Sequence, residues 1–142
     1  MPETPGAVLA FDFGLKYTGV AVGVAGNGIC RPLETIRCTT RAARWQAVER
    51  LLREWAPVRL VVGLPLDASG SEQVSTRQCR NFAAELTTRY GLPTTLVDER
   101  FTSLEADALL RERGYSRQQR AEAEHAEAAA LILKSYLSAG HP

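Results

Sequence analysis

A chain of 142 residues is the size of one domain, and 45% hydrophobic with 23% charged residues is enough to bury a core. A formal net charge of +1 excludes recognition of nucleic acid through bulk charge alone. Cys30, Cys38 and Cys79 show no metal-ligand spacing and point to a reducing compartment, and neither a signal sequence nor a run of membrane-spanning length is present, so the expectation is a cytoplasmic protein without membrane contact.

Residues 1–6 read as a flexible tail in a single domain over residues 1–142. Ala7 to Phe13 reads as the first strand, apolar on both faces except for one carboxylate, Asp12. Gly14-Leu15-Lys16 makes a tight connection to a second, antiparallel strand, Thr18 to Val24. Gly19 and Gly23 inside that strand mark a twist or a close approach of another backbone. Gly26-Asn27-Gly28 signals a turn, and Ile29 to Ile36 reads as a third strand, placed at an edge by Pro32.

Thr39 or Thr40 caps a helix over Arg41 to Trp55, in which Trp45, Val48, Leu51, Leu52 and Trp55 recur at helical spacing as core anchors. Leu60 to Leu64 is a short apolar strand suited to parallel pairing, and Pro65 to Gly70 is a loop. A second helix over Glu72 to Tyr90 buries Cys79, Phe82, Ala83, Leu86 and Tyr90 and ends at Gly91. Thr94 to Asp98 is the fifth strand. Thr102 to Glu105 has capping-box spacing for a helix ending before Gly114. Tyr115 to Arg120, with Arg111 and Arg113 beside it, reads as a basic, mobile segment before a last helix over Ala121 to Leu137.

A meander followed by two crossover units gives an α/β fold: a five-stranded mixed sheet with helices on both faces. Sites in such sheets form at the carboxyl ends of neighbouring strands. Asp12 ends one strand, and Asp98-Glu99 end another. Neighbours along a strand face opposite ways, so one of the two faces Asp12. Arg100 lies on the side of Asp98 and can pair with it, which favours Glu99. Two carboxylates held together raise each other's pKa, and a hard divalent cation such as Mg²⁺ or Mn²⁺ resolves the conflict. His125, early in the last helix, is a further candidate ligand. Bland readings exist for each: Asp12 as a turn cap, His125 as a surface residue.

Taken together, Phe11 to Gly23 (FDFGLKYTGVAVG), Val61 to Glu72 (VVGLPLDASGSE), Val97 to Ser103 (VDERFTS) and His125 to Leu137 (HAEAAALILKSYL) resemble, in order, the YqgF family, also called RuvX, of the ribonuclease H-like superfamily. The resemblance implies the sheet order 3-2-1-4-5. Its first acidic position falls on Asp12 and its DER motif on Asp98-Glu99-Arg100. Its last acidic position is usually Asp but here aligns with His125, and related resolvases tolerate His there. Glu124 and Glu127 lie close by and could substitute. Imidazole favours Mn²⁺ over Mg²⁺. The implied metal ligands are Asp12, Glu99 and His125, with Asp98 as the alternative carboxylate. Lys16 and the amides around Gly14 are expected to hold phosphate, and Arg100, Arg113 and Arg117 to contact the strand.

The implied activity is metal-dependent phosphodiester cleavage: trimming of the 5′ end of the small-subunit ribosomal RNA precursor, pre-16S rRNA, or resolution of four-way DNA junctions. A resolvase cuts two symmetric strands and needs a two-fold dimer. No dimer helix is evident, so the expectation is a monomer or weak dimer acting on RNA. The competing readings are a non-catalytic RNA-binding assembly factor and an actin-like ATP-binding domain, the latter suggested by Asp12, Gly14, Lys16 and Thr18.

Overall fold

The computed structural model describes residues 6–24, 26, 29–66, 69–99, 108, 110–114 and 116–138. Residues 1–5 of the expected tail, Asn27 and Gly28 of the turn, residues 67–68 of the loop, Arg100, the Thr102 to Glu105 capping box and Tyr115 lie outside them.

The strands are β1 (Ala7–Asp12), β2 (Tyr17–Val24), β3 (Cys30–Arg37), β4 (Arg59–Leu64) and β5 (Thr94–Asp98). They form one sheet in the order β3-β2-β1-β4-β5. β1 pairs antiparallel with β2 and parallel with β4, and β4 pairs parallel with β5. Pro32 lies on the outer strand β3, where a missing N–H costs no ladder bond, and the register slips between Val20 and Ala21 opposite it. The helices are α1 (Arg41–Trp55), α2 (Val74–Tyr90) and α3 (Arg117–Ser138). Residues 110–112 are also helical.

Of the two threonines proposed as caps, Thr40 serves: its Oγ1 accepts from the Ala43 N–H at 3.0 Å. Helix α1 closes on Ala56, which takes a left-handed φ of 43°. Helix α2 begins at Val74 rather than Glu72, because Glu72 forms a bridge to Leu66 across the preceding loop. The last helix starts at Arg117, ahead of the expected Ala121, so the stretch read as a mobile segment is partly helical. Arg117-Gln118-Gln119-Arg120 contains neither Gly nor Pro and consists of good helix formers, which extends the helix backwards.

The sheet separates two cores of different character. Leu9, Phe11, Val20, Val22, Leu60 and Val62 point to one face, where Trp45, Val48, Leu51, Phe82 and Leu86 of α1 and α2 cover them. Trp45 packs against Phe82 at 5.4 Å between ring centroids, as a core anchor. Val8, Ala10, Ala21 and Val61 point to the other face, under Ala129, Ala130, Ile132, Leu133 and Tyr136 of α3. The α3 side of the sheet is built from small residues, and that lets the helix approach closely.

Candidate active site

β1 delivers Asp12 to the carboxyl end of the sheet. The alternation that aims Val8 and Ala10 at α3 aims Asp12 the same way, and it is buried to 9% exposure. At the end of β5, Leu96 packs with the α1 and α2 core and Val97 with the α3 core. The same alternation leaves Asp98 exposed on the former side and turns the half-buried Glu99 towards α3. The Glu99 N–H donates to the Leu64 carbonyl at 3.2 Å, which ties this residue to the end of β4. Its carboxyl group hydrogen-bonds to Asp12. It lies over Gly63, where a Cβ would stand 2.8 Å from Glu99 Oε2 and 2.4 Å from Ile132 Cδ1. Only a bare backbone at Gly63 leaves room for that carboxyl group under the helix.

Helix α3 brings His125. Its Nδ1 is 3.2 Å from Asp12 Oδ2. Its ring stacks on Tyr17 at 5.6 Å between centroids and 29° between planes. The approach depends on Gly19, the β2 partner of Asp12. A Cβ there would lie 1.8 Å from the His125 carbonyl oxygen. Gly19 therefore answers the expectation of a close backbone approach, the backbone being that of α3.

The connection between β1 and β2 is clamped at three points. Thr18 Oγ1 donates to the Gly14 carbonyl at 3.2 Å, the Cys38 N–H donates to the Lys16 carbonyl at 2.8 Å, and Arg44 Nη2 donates to the Leu15 carbonyl at 3.0 Å. Gly14 lies against His125, with a Cβ position 3.9 Å from Cε1. The Lys16 ammonium stands 5.6 Å from the Tyr17 ring centre and the Arg37 guanidinium 5.9 Å from it. Two cations thus flank the aromatic ring that backs His125.

Charge is frustrated at this edge. Burial, then the Asp12 charge and hydrogen bond, then Asp98, push the Glu99 carboxyl up to about 9. The hydrogen bond to Asp12 raises the His125 pKa against the opposing effect of burial. Burial, helped by Glu99 and Asp12, pushes the Cys79 thiol up to about 12, so it stays a neutral thiol at physiological pH. The pair Asp12 and Glu99 is stable when it shares a proton, and His125 supplies another. A divalent cation can replace those protons, and two carboxylates with an imidazole are a fitting donor set for it. Among the described residues no group of three or more His, Cys, Asp or Glu is already gathered as a metal cage. Asp12 instead stands between the other two, in contact with His125 and with Glu99.

The structure thus brings Asp12, Glu99, His125, Gly14 and Lys16 to one rim. Asp98 points away from Asp12. The Arg113 guanidinium is half exposed and donates to Glu127 at 2.7 Å, which occupies the buried acid on α3 that was a possible substitute ligand. Arg117 opens α3, its side chain outside the described set, as is Arg100. Tyr17 and Arg37 were not among the residues singled out from the sequence. Tyr17 could have been found by counting back from Gly19, since alternate residues of β2 share the α3 face.

The RuvX family, described as Holliday junction resolvase, matches residues 6–139. A protein of Thiobacillus denitrificans is 45% identical over 137 residues, 96% of this chain and 94% of its own. One from Burkholderia lata is 48% identical over 130 residues, 92% of this chain and 87% of its own. One from Salmonella typhimurium is 42% identical over 136 residues, 96% of this chain and 99% of its own. All three carry the provisional name of pre-16S rRNA nuclease. Among solved structures, the fowlpox virus Holliday junction resolvase superposes with a TM-score of 0.62 at 12% identity, covering 95% of this chain and 99% of that one. Thermus thermophilus RuvC, in complex with a Holliday junction substrate, gives 0.58 at 18% identity and 95% coverage of both chains. At those identities the likeness concerns the fold, which is ribonuclease H-like.

Proposed function

We propose a substrate and a division of labour for a chain that belongs to the RuvX family and is, with that family, a phosphodiester-cleaving nuclease. The substrate is pre-16S rRNA, processed at its 5′ end in the cytoplasm during ribosome biogenesis. Relatives named for that reaction, at 42% to 48% identity over most of the chain, support this reading. The observation that carries the mechanism is the meeting of Asp12, Glu99 and His125 at the carboxyl edge of the sheet.

In this reading Asp12 and Glu99 hold a divalent cation, Mn²⁺ or Mg²⁺, with His125 completing the set. Such an ion, when bound, activates water and stabilises the leaving oxygen. The remaining work falls to the chain. Tyr17 fixes the plane of the His125 ring. Glu99 gives up the proton it shares with Asp12. Lys16 and Arg37 draw the scissile phosphate to the rim, and the missing side chain of Gly14 lets a phosphate oxygen approach the loop amides. Arg100, Arg113 and Arg117 contact the flanking strand without reading bases, so binding weakens as salt rises.

The family description favours a second reading, resolution of four-way DNA junctions, which requires two sites in a two-fold dimer. One experiment separates the two. The purified protein is incubated with labelled precursor RNA and with a four-way DNA junction, in Mn²⁺ and in Mg²⁺, beside Asp12→Asn. Cleavage of the RNA alone, lost in the variant, supports the first. Symmetric cuts in the junction alone support the second. Equal behaviour of wild type and variant on both overturns the assignment of Asp12.

A further inference from the structure

On the face of the sheet away from α3, the first turns of α1 and the middle of α2 enclose a cleft of about 160 Å³. Phe13 and Trp45 contribute apolar walls, Arg44 a cationic one, and the Gln78 and Asn81 amides line it from α2. Arg44 is 8% exposed, its guanidinium 4.7 Å from the Phe13 ring centre. One of its nitrogens serves the Leu15 carbonyl, but its buried Nε has no partner. The buried Trp45 Nε1 also has none. Among the described residues no carboxylate pairs with Arg44. Glu85, which also lines the cleft, is already held by Arg41 at 2.5 Å and Arg89 at 2.8 Å. Two guanidinium groups therefore hold this carboxylate, and Arg44 is not among its partners.

A buried cation with an unused donor is costly unless something accepts from it. We propose that this cleft is a phosphate-binding subsite, separate from the active site, taking a phosphate group of a nucleic-acid strand or of a free phosphomonoester. Its oxygens accept from the part of the Arg44 guanidinium that lines the cleft on α1 and from the Gln78 and Asn81 amides on α2, a spread that suits a tetrahedral group with several acceptors. Phe13 and Trp45 keep water from the contact. The Arg44 guanidinium also holds the Leu15 carbonyl, so the subsite adjoins the loop that carries Lys16. Metal binding at Asp12 plays no part in it.

The test follows the arginine Nε–H and Trp45 indole signals by NMR. Inorganic phosphate is titrated in one arm and a short RNA lacking a terminal phosphate in the other. Asn81→Asp places a negative charge on an exposed position of the cleft without touching Arg44. Inorganic phosphate is expected to move the Arg44 and Trp45 signals, with about tenfold weaker affinity in Asn81→Asp and unchanged affinity in Asp12→Asn. If the RNA moves the same signals with the same loss, the source is a strand. If only inorganic phosphate does, the source is a free phosphomonoester. Still signals at saturating phosphate and RNA, or equal affinity in wild type and Asn81→Asp, overturn the subsite. Failure to cleave any substrate, with these shifts intact, would overturn the nuclease mechanism and leave the subsite standing.

Discussion

Nδ1 of His125 stands 3.2 Å from Oδ2 of Asp12 across 113 positions of sequence. The contact joins the end of the first strand to the last helix, and it raises the His125 pKa. Asp12→Asn keeps the shape and removes the charge. The His125 pKa should then fall back towards the ordinary imidazole range, because the Asp12 hydrogen bond is the main cause of its rise. Losing a group that merely orients a metal ligand costs about 10–100-fold, so losing a ligand itself should lower cleavage by more than about 100-fold. Histidine NMR titration beside a cleavage assay checks both; an unchanged His125 titration would contradict the coupling.

The metal-free protein should lose stability as pH rises from neutral towards 9. The Glu99 carboxyl is raised to about 9, well above its unfolded value, so the folded state holds a proton that the unfolded state has released. That contribution is complete below the ordinary carboxylate range and disappears as pH passes the folded value. His125, also raised, acts in the same direction through its own upward shift. Thermal melts in chelator across this range should show a falling midpoint, and Glu99→Gln should flatten the slope. A midpoint that rises with pH would mean that Glu99 is ionised in the folded protein.

The resemblance read from the sequence aligns His125 with a position that is usually Asp. Cleavage should be faster in Mn²⁺ than in Mg²⁺, since imidazole ligation favours the former. His125→Asp should narrow the gap between the two ions. Rates measured in each metal, before and after the change, decide it; equal rates throughout would remove His125 from the ligand set.

Gly19→Ala should destabilise the fold by about 3 kcal/mol, the upper part of the usual cost of overpacking. The new methyl would meet the His125 carbonyl at 1.8 Å, and helical backbone cannot yield as a flexible side chain can. Urea unfolding measures it. A loss below about 0.5 kcal/mol, the range of ordinary surface changes, would mean that α3 is not pressed against β2 at that point.

Ala56→Gly should stabilise the protein by about 0.5–1 kcal/mol. Ala56 ends α1 at a φ of 43°, a conformation in which glycine has no Cβ to strain. The same denaturation experiment reads it, and a lower midpoint would contradict the assignment of strain at that cap.

The strands and the two carboxylates at their ends were legible in the sequence because each rests on short-range patterns, whereas the sheet order came from the family resemblance. Apolar runs marked β1 and β4, Pro32 marked the edge, and strand alternation predicted that Glu99 and Asp98 diverge. Helix starts were less legible. A bridge between Leu66 and Glu72 delayed α2, and only tertiary structure creates that contact. The stacking of Tyr17 on His125 links residues far apart in the chain, the capture of Arg113 by Glu127 spans a turn between helical segments, and no local pattern announces either. Arg44 was not singled out from the sequence, because burial of a charge has no signature in spacing.

The two sides of the sheet are filled on different rules, and mutation will meet them differently. Under α1 and α2, large rings and branched chains interlock, and such a layer can exchange one bulky residue for another and settle again. Under α3, Gly19 leaves main chain directly against helix backbone, and Gly63 and Ala21 leave little between sheet and helix. Damage on the first side would be graded and would register as lowered melting temperature ahead of lost turnover. On the second side the spacer that sets helix height also sets the catalytic geometry, so folding and turnover would fail together.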